Sequence, residues 1–158
     1  MKNVALALVG SAMLATAALA AEGPAGHRHD ESFSAGEPGD SRRPARIVQI
    51  TVGETDGKMK FVPANVEVRK GEQIKFVLRN NGELDHEFVL AAAADNLKHA
   101  ETMKKNPNME HDDPNSKRLA PMKTDEMVWK FTKVGEFEYA CLIPGHRESG
   151  MIGLVVVR

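Results

Sequence analysis

From residue 45 onward, apolar side chains recur at alternate positions over short runs, and the runs are punctuated by Gly, Pro, Asn and Asp. A period of two sends one set of side chains to a buried face and the other to water, the pattern of half-buried β-strands. Residues 46–52 (RIVQITV) carry Ile47, Val48, Ile50 and Val52 as their apolar positions, and Asp56 and Gly57 make a turn before a strand over 59–62. Residues 64–68 and 72–79, separated by Lys70 and Gly71, put Val66, Val68, Ile74, Phe76 and Leu78 on one face. Asn80, Asn81 and Gly82 turn the chain, and runs at 86–91, 127–132, 136–140 and 151–157 bring the total to about eight strands. An all-β fold is expected, a Greek-key β-sandwich whose core includes Trp129, Phe131, Phe137 and Tyr139 together with Met59 and Met127.

One segment departs from this rhythm. Residues 91–105 (AAAADNLKHAETMKK) are rich in strong helix formers and stop before Asn106 and Pro107, which predicts a short helical insertion between strands. Residues 106–126 read as loop. At the other end of the chain, residues 1–20 (MKNVALALVGSAMLATAALA) have the layout of a secretory signal peptide: Lys2, an apolar middle, and small residues at Ala18 and Ala20. Cleavage is expected after Ala20; an uncleaved anchor or a buried helix is the alternative, against which the shortness of the apolar run argues. Residues 21–44 contain four Gly, three Pro and a single large apolar side chain, Phe33, and are expected to form a flexible His-containing tail. The domain proper is then 45–158.

Length and charge narrow the function classes. The 158 residues suit one domain with an appendage, and a net charge of −1, or −2 once Lys2 is removed with the leader, offers no basic excess for nucleic acid. No segment after the leader is apolar enough to span a membrane, so an exported, periplasmic protein is expected, and nothing asks for a second copy: a monomer. A single cysteine excludes an internal disulfide, and an odd thiol in an oxidising compartment needs something to hold it. Eight Met and six His in so short a chain supply soft and borderline metal ligands.

The stretch YACLIPGHRESGM, residues 139–151, brings Cys141, His146 and Met151 together with four residues in each gap. A thiolate, an imidazole and a thioether on one loop at a strand end suit a soft metal that also accepts nitrogen, namely copper. A trigonal site needs a second imidazole, for which His86, delivered by a turn to the start of a strand, is the candidate. Each residue also has a plainer reading: a buried inert thiol, a surface or core His, and a packing Met ahead of Ile152, Leu154, Val155 and Val156.

Over residues 45–158 the chain resembles the cupredoxins, the type 1 copper proteins that include azurin, plastocyanin and rusticyanin, and in character it is most similar to periplasmic cupredoxins of copper tolerance. The resemblance implies one type 1 copper with His86, Cys141 and His146 as equatorial ligands and Met151 as the axial ligand. Glu87 stands where many cupredoxins carry Asn or Ser, leaving a backbone amide as the expected donor to the sulfur. The neighbours of Cys141, Ala140 and Leu142, are not the His pair of multicopper oxidases. One-electron transfer rather than enzymatic turnover is therefore expected, with a redox partner docking near the His146 loop on Leu142, Ile143 and Pro144. Copper tolerance is the favoured service; copper binding and delivery, or respiratory electron carriage, are the alternatives. His27 and His29 on the tail, and His99, Met103, Met109, His111 and Met122 around the insertion, are candidates for additional weakly bound copper, with ordinary surface His and core Met as the plainer reading.

Overall fold

The computed structural model describes residues 32–106 and 113–158. The expected Asp56–Gly57 turn forms with φ of 54° and 72°, the left-handed pair that a tight hairpin requires. It joins β2 (Arg46–Thr55) to β3 (Lys58–Val62) in a five-stranded sheet whose order continues from β2 through β5 (Gln73–Asn80) and β8 (Thr124–Lys130) to β1 (Glu37–Pro38). The second sheet runs β4 (Asn65–Val68), β10 (Ile152–Val157), β9 (Gly135–Ala140), β6 (His86–Ala91), β7 (Ser116–Leu119). The pairs β2–β5 and β4–β10 are parallel, so the chain crosses between sheets rather than returning by hairpins alone, and the architecture is the expected mostly-β sandwich.

Between the sheets, alternate residues interdigitate. Ile74, Phe76 and Leu78 of β5 are fully buried, as are Ile50 of β2, Phe88 and Leu90 of β6, and Tyr139 of β9. Each such side chain contributes on the order of 1.5–3 kcal/mol by leaving water. Tyr139 anchors the centre: its ring stacks on Phe88 and meets the edge of Phe61, each at 5.2 Å, and its hydroxyl donates to the Pro63 carbonyl at 2.7 Å. A Cβ at position 153 would enter the Tyr139 ring, so the strand opposite must carry glycine there.

Helix α1 (Ala93–Lys105) is the expected insertion. It starts two residues later than the composition suggests because Ala91 still pairs with Glu138 in the sheet. Asn96, Ala100 and Met103 face inward, and Ala100 packs with Val89, Ala140 and Leu142 in a small second core. Strand β6 is buried at all six residues, between the main core on one side and this cluster on the other.

Three expectations are corrected. Ile47 is 61% exposed, since strict alternation gives the inner face to Val48, Ile50 and Val52. Residues 106–126 are not all loop: β7 and the start of β8 occupy 116–119 and 124–126, segments of Ser, Lys, Arg, Thr, Asp and Glu with Leu119 as the one apolar residue, whose polarity hid them. Packing also begins before Ala45, in the described residues 33–35. Phe33 meets the edge of Trp129 at 5.3 Å, the Trp129 indole N–H donates to the Ala35 carbonyl, and the Ser34 hydroxyl accepts the Ala92 amide at the start of α1. A few well-placed contacts order a segment whose mean composition resembles a linker. The expected leader 1–20, with the rest of the expected tail before residue 32, lies outside the described residues.

Candidate metal centre

Strands β6 and β9 are neighbours with Val89 opposite Ala140, so the start of β6 and the end of β9 lie together at one end of the sandwich. His86 opens β6 and is fully buried; Cys141 follows β9 and is fully buried too. The chain then turns through residues 142–150 and returns into β10. Cys141 N–H donates to the Met151 carbonyl, and the amides of Met151 and Ser149 both donate to His146 O, closing the loop on itself. Gly145 and Gly150 take φ of 92° and 90°, a conformation L side chains rarely adopt, which is why glycine punctuates this turn.

The loop brings His146 Nδ1 to 3.3 Å from Cys141 Sγ, and the two imidazole rings, of His86 and His146, lie 5.2 Å apart between centroids. The donor atoms of His86, Cys141 and His146 all lie within 4.8 Å of one another, and among the described residues these form the one group of three or more His, Cys, Asp or Glu so arranged. His86 Nε2 sits 2.8 Å from Glu54 Oε1, while His86 Nδ1 is buried with no hydrogen-bond partner. A buried imidazole nitrogen without a partner is costly in a metal-free core, and beside a cysteine sulfur and a second imidazole it is what a metal ligand looks like. The set fits a type 1 copper site. Met151 is fully buried beside this group, its backbone tied to both Cys141 and His146.

Burial pushes the Cys141 thiol up to about 12, against the pull of the Glu87 and Ile143 amides. Burial also lowers His146, with His86 adding to the effect, which favours the neutral imidazole a metal needs. The Glu87 amide donates to Cys141 Sγ at 3.3 Å, the backbone donor expected where the family's usual side chain is missing. Partial burial works to raise Glu54, but the Glu83 amide and His86 outweigh it and hold this carboxyl below its ordinary value.

Around this group lie residues that sequence reasoning did not single out. Arg147, next to His146, forks onto the buried Glu138 carboxylate through Nε at 3.0 Å and Nη2 at 2.9 Å, and Asn96 of α1 donates to the same residue. Lys104 of α1 reaches Glu148 at 3.0 Å, so the inserted helix holds the loop directly there and, through Glu138 of β9, also at Arg147. No local motif signals these pairs, because their partners are 9 to 44 positions apart in sequence.

The expected docking patch is smaller than the sequence suggested. Leu142 turns inward and is 2% exposed, Ile143 is half-buried against the core, and Pro144 alone of the three is exposed. Of the candidates for additional copper, His99 is half-buried on α1, Met103 is 1% exposed, and Met122 stands 67% exposed on the β7–β8 turn. His27, His29, Met109 and His111 lie outside the described residues.

Comparison with known proteins agrees with the geometry. The family model of copper-binding proteins of the plastocyanin/azurin family matches residues 48–158. The chain is 47% identical over 132 residues to the copper-resistant cuproprotein CopI of Rubrivivax gelatinosus, covering 84% of this chain and 78% of that one. It is 33% identical over 159 residues to the protein of the same name in Pseudomonas aeruginosa, covering 82% and 84%. Among solved structures, reduced auracyanin from the photosynthetic bacterium Roseiflexus castenholzii superposes with a TM-score of 0.60 at 18% identity, over 72% of this chain and 98% of that one.

Proposed function

Because this chain belongs to the plastocyanin/azurin family of copper-binding proteins, we propose that it is an exported, periplasmic copper protein that passes single electrons in the service of copper tolerance. His86, Cys141, His146 and Met151 would hold the copper. The observation that carries this reading is the preassembled pair of imidazoles and thiol, with His86 Nδ1 buried and unpartnered.

Copper held there supplies a one-electron couple. The protein's part is to keep the donors where they are. His86 rides on a strand buried on both sides, and the other three ligands sit on a loop closed by its own backbone hydrogen bonds. Small ligand movement between oxidation states follows from that rigidity. His146, half-exposed beside the exposed Pro144, is the edge through which a redox partner exchanges electrons. The tolerance role draws on the CopI relatives, whose names record copper resistance. Export draws on the leader-like residues 1–20; no helix among the described residues is long and apolar enough to cross a membrane.

Titration of the purified protein with Cu(II), following visible absorption and total bound metal together, tests the site. Intense colour saturating at one copper and abolished in Cys141→Ala is expected; a colourless protein would reduce Cys141 to a packing thiol. Copper sensitivity of a His86→Ala strain without a respiratory defect separates tolerance from respiratory carriage. Charged substitution at Pro144 should slow oxidation by the partner in stopped flow, and an unchanged rate would remove that surface from the reading. A copper-delivery role would show instead as colourless copper bound beyond the first equivalent.

A further inference from the structure

Glu54 lies on β2 one residue before the Asp56–Gly57 hairpin's last strand position, far in sequence from every proposed ligand, yet both of its carboxylate oxygens are committed to the segment that carries His86. Oε1 meets His86 Nε2 at 2.8 Å, and Oε2 accepts the Glu83 amide at 2.8 Å. The space for this contact is made by two glycines. A Cβ on Gly82 would fall on the Glu54 carboxylate, and a Cβ on Gly53 would come within 2.8 Å of the Gly82 amide nitrogen. The hairpin therefore closes onto the 80–86 turn only because neither residue has a side chain.

This arrangement decides how the His86 ring is used. With Nε2–H donating to the carboxylate, Nδ1 keeps its lone pair. The other neutral tautomer would bury an Nδ1–H without an acceptor and set an Nε2 lone pair against a negative oxygen, both unfavourable. Carboxylate partners of ligand histidines fix ring orientation and raise ligand basicity. We propose that Glu54 is a positioning residue for copper: it locks His86 with Nδ1 facing the metal and, through its negative charge, favours the cupric over the cuprous state. This inference rests on His86 being a copper ligand, as proposed above.

The test compares Glu54→Gln, Glu54→Ala and Gly82→Ala with the wild type, using Cu(II) affinity by chelator competition, reduction potential, and ¹⁵N NMR of the imidazoles in copper-free protein. Glu54→Ala should lose about 10- to 100-fold in Cu(II) affinity, and Gly82→Ala, which displaces the carboxylate without removing it, should move the same way. Glu54→Gln keeps an acceptor for Nε2–H, so it should retain the colour while its potential rises. Copper-free wild type should show His86 protonated on Nε2, a readout that needs no variant to fold. Wild-type affinity and potential in both Glu54 variants, or an Nδ1–H tautomer in the copper-free protein, would overturn the proposal. A wild type without intense thiolate-to-copper colour would instead defeat the ligand assignment itself, and the role of Glu54 with it.

Discussion

Replacing Arg147 by Met should destabilise the copper-free protein by about 3 kcal/mol. The guanidinium makes two parallel hydrogen bonds to Glu138, at 3.0 and 2.9 Å, the geometry in which an arginine–carboxylate pair is strongest. The Glu138 side chain is 5% exposed and that of Arg147 18%. Removing the cation leaves a buried carboxylate facing the Asn96 amide at 3.3 Å. Breaking a buried pair from one side costs about 3–5 kcal/mol, and the lower end applies because water still reaches part of the arginine. With a urea m-value of about 1.5–2 kcal/mol per molar, the unfolding midpoint should fall by about 1.5–2 M. Fluorescence of Trp129, the one tryptophan and fully buried, reports the transition. Glu138→Gln combined with Arg147→Met deletes both charges and should cost less than Arg147→Met alone, since no buried ion is stranded. A single variant within about 1 kcal/mol of wild type, or a double variant whose losses simply add, would refute the idea that this pair holds the ligand loop to the sheet.

Other outcomes follow from the same packing. Copper loading near pH 8 should release at least one proton per metal, because burial holds the Cys141 thiol protonated up to about 12 and the metal takes the thiolate; affinity should therefore rise with pH, and calorimetry in buffers of different ionisation heat would expose the error if no proton appeared. Gly153→Ala drives a methyl into the Tyr139 ring and should cost about 1–3 kcal/mol, so an unchanged Tm would contradict the contact. A chain lacking residues up to 38 loses Phe33 and the Ala35 carbonyl from Trp129 and should lose about 2 kcal/mol or more. Its tryptophan emission should shift to the red, and an unshifted spectrum at full stability would show the segment to be dispensable.

Much of the sandwich was legible because its inner strands obey a period of two: β5 alternates without exception, and the aromatic positions 129, 131, 137 and 139 are all core. The group of Cys141 and His146 was legible because loop spacing is local information, and His86 because a metal-ligand set with one member missing restricts the choice of partner. What stayed hidden was non-local or polar. Strand β7 carries Ser, Lys and Arg with a single buried apolar residue, Leu119, too little for a period of two to show, and β6 supplies its hydrogen-bond partners. Glu54, Glu138 and Arg147 carry no local signal, since only the fold sets them against a buried imidazole or one another. Residues 33–38 failed for the opposite reason: few apolar atoms, each in the right place.

The outermost strands of the two sheets, β1, β3, β4 and β7, are only two, five, four and four residues long, and each carries charge: Glu37, Lys58 and Lys60, Glu67, and Lys117 with Arg118. Short, charged margins are poor templates for another chain's backbone. Edge-to-edge stacking of folded molecules is thus opposed at all four borders of the two described sheets.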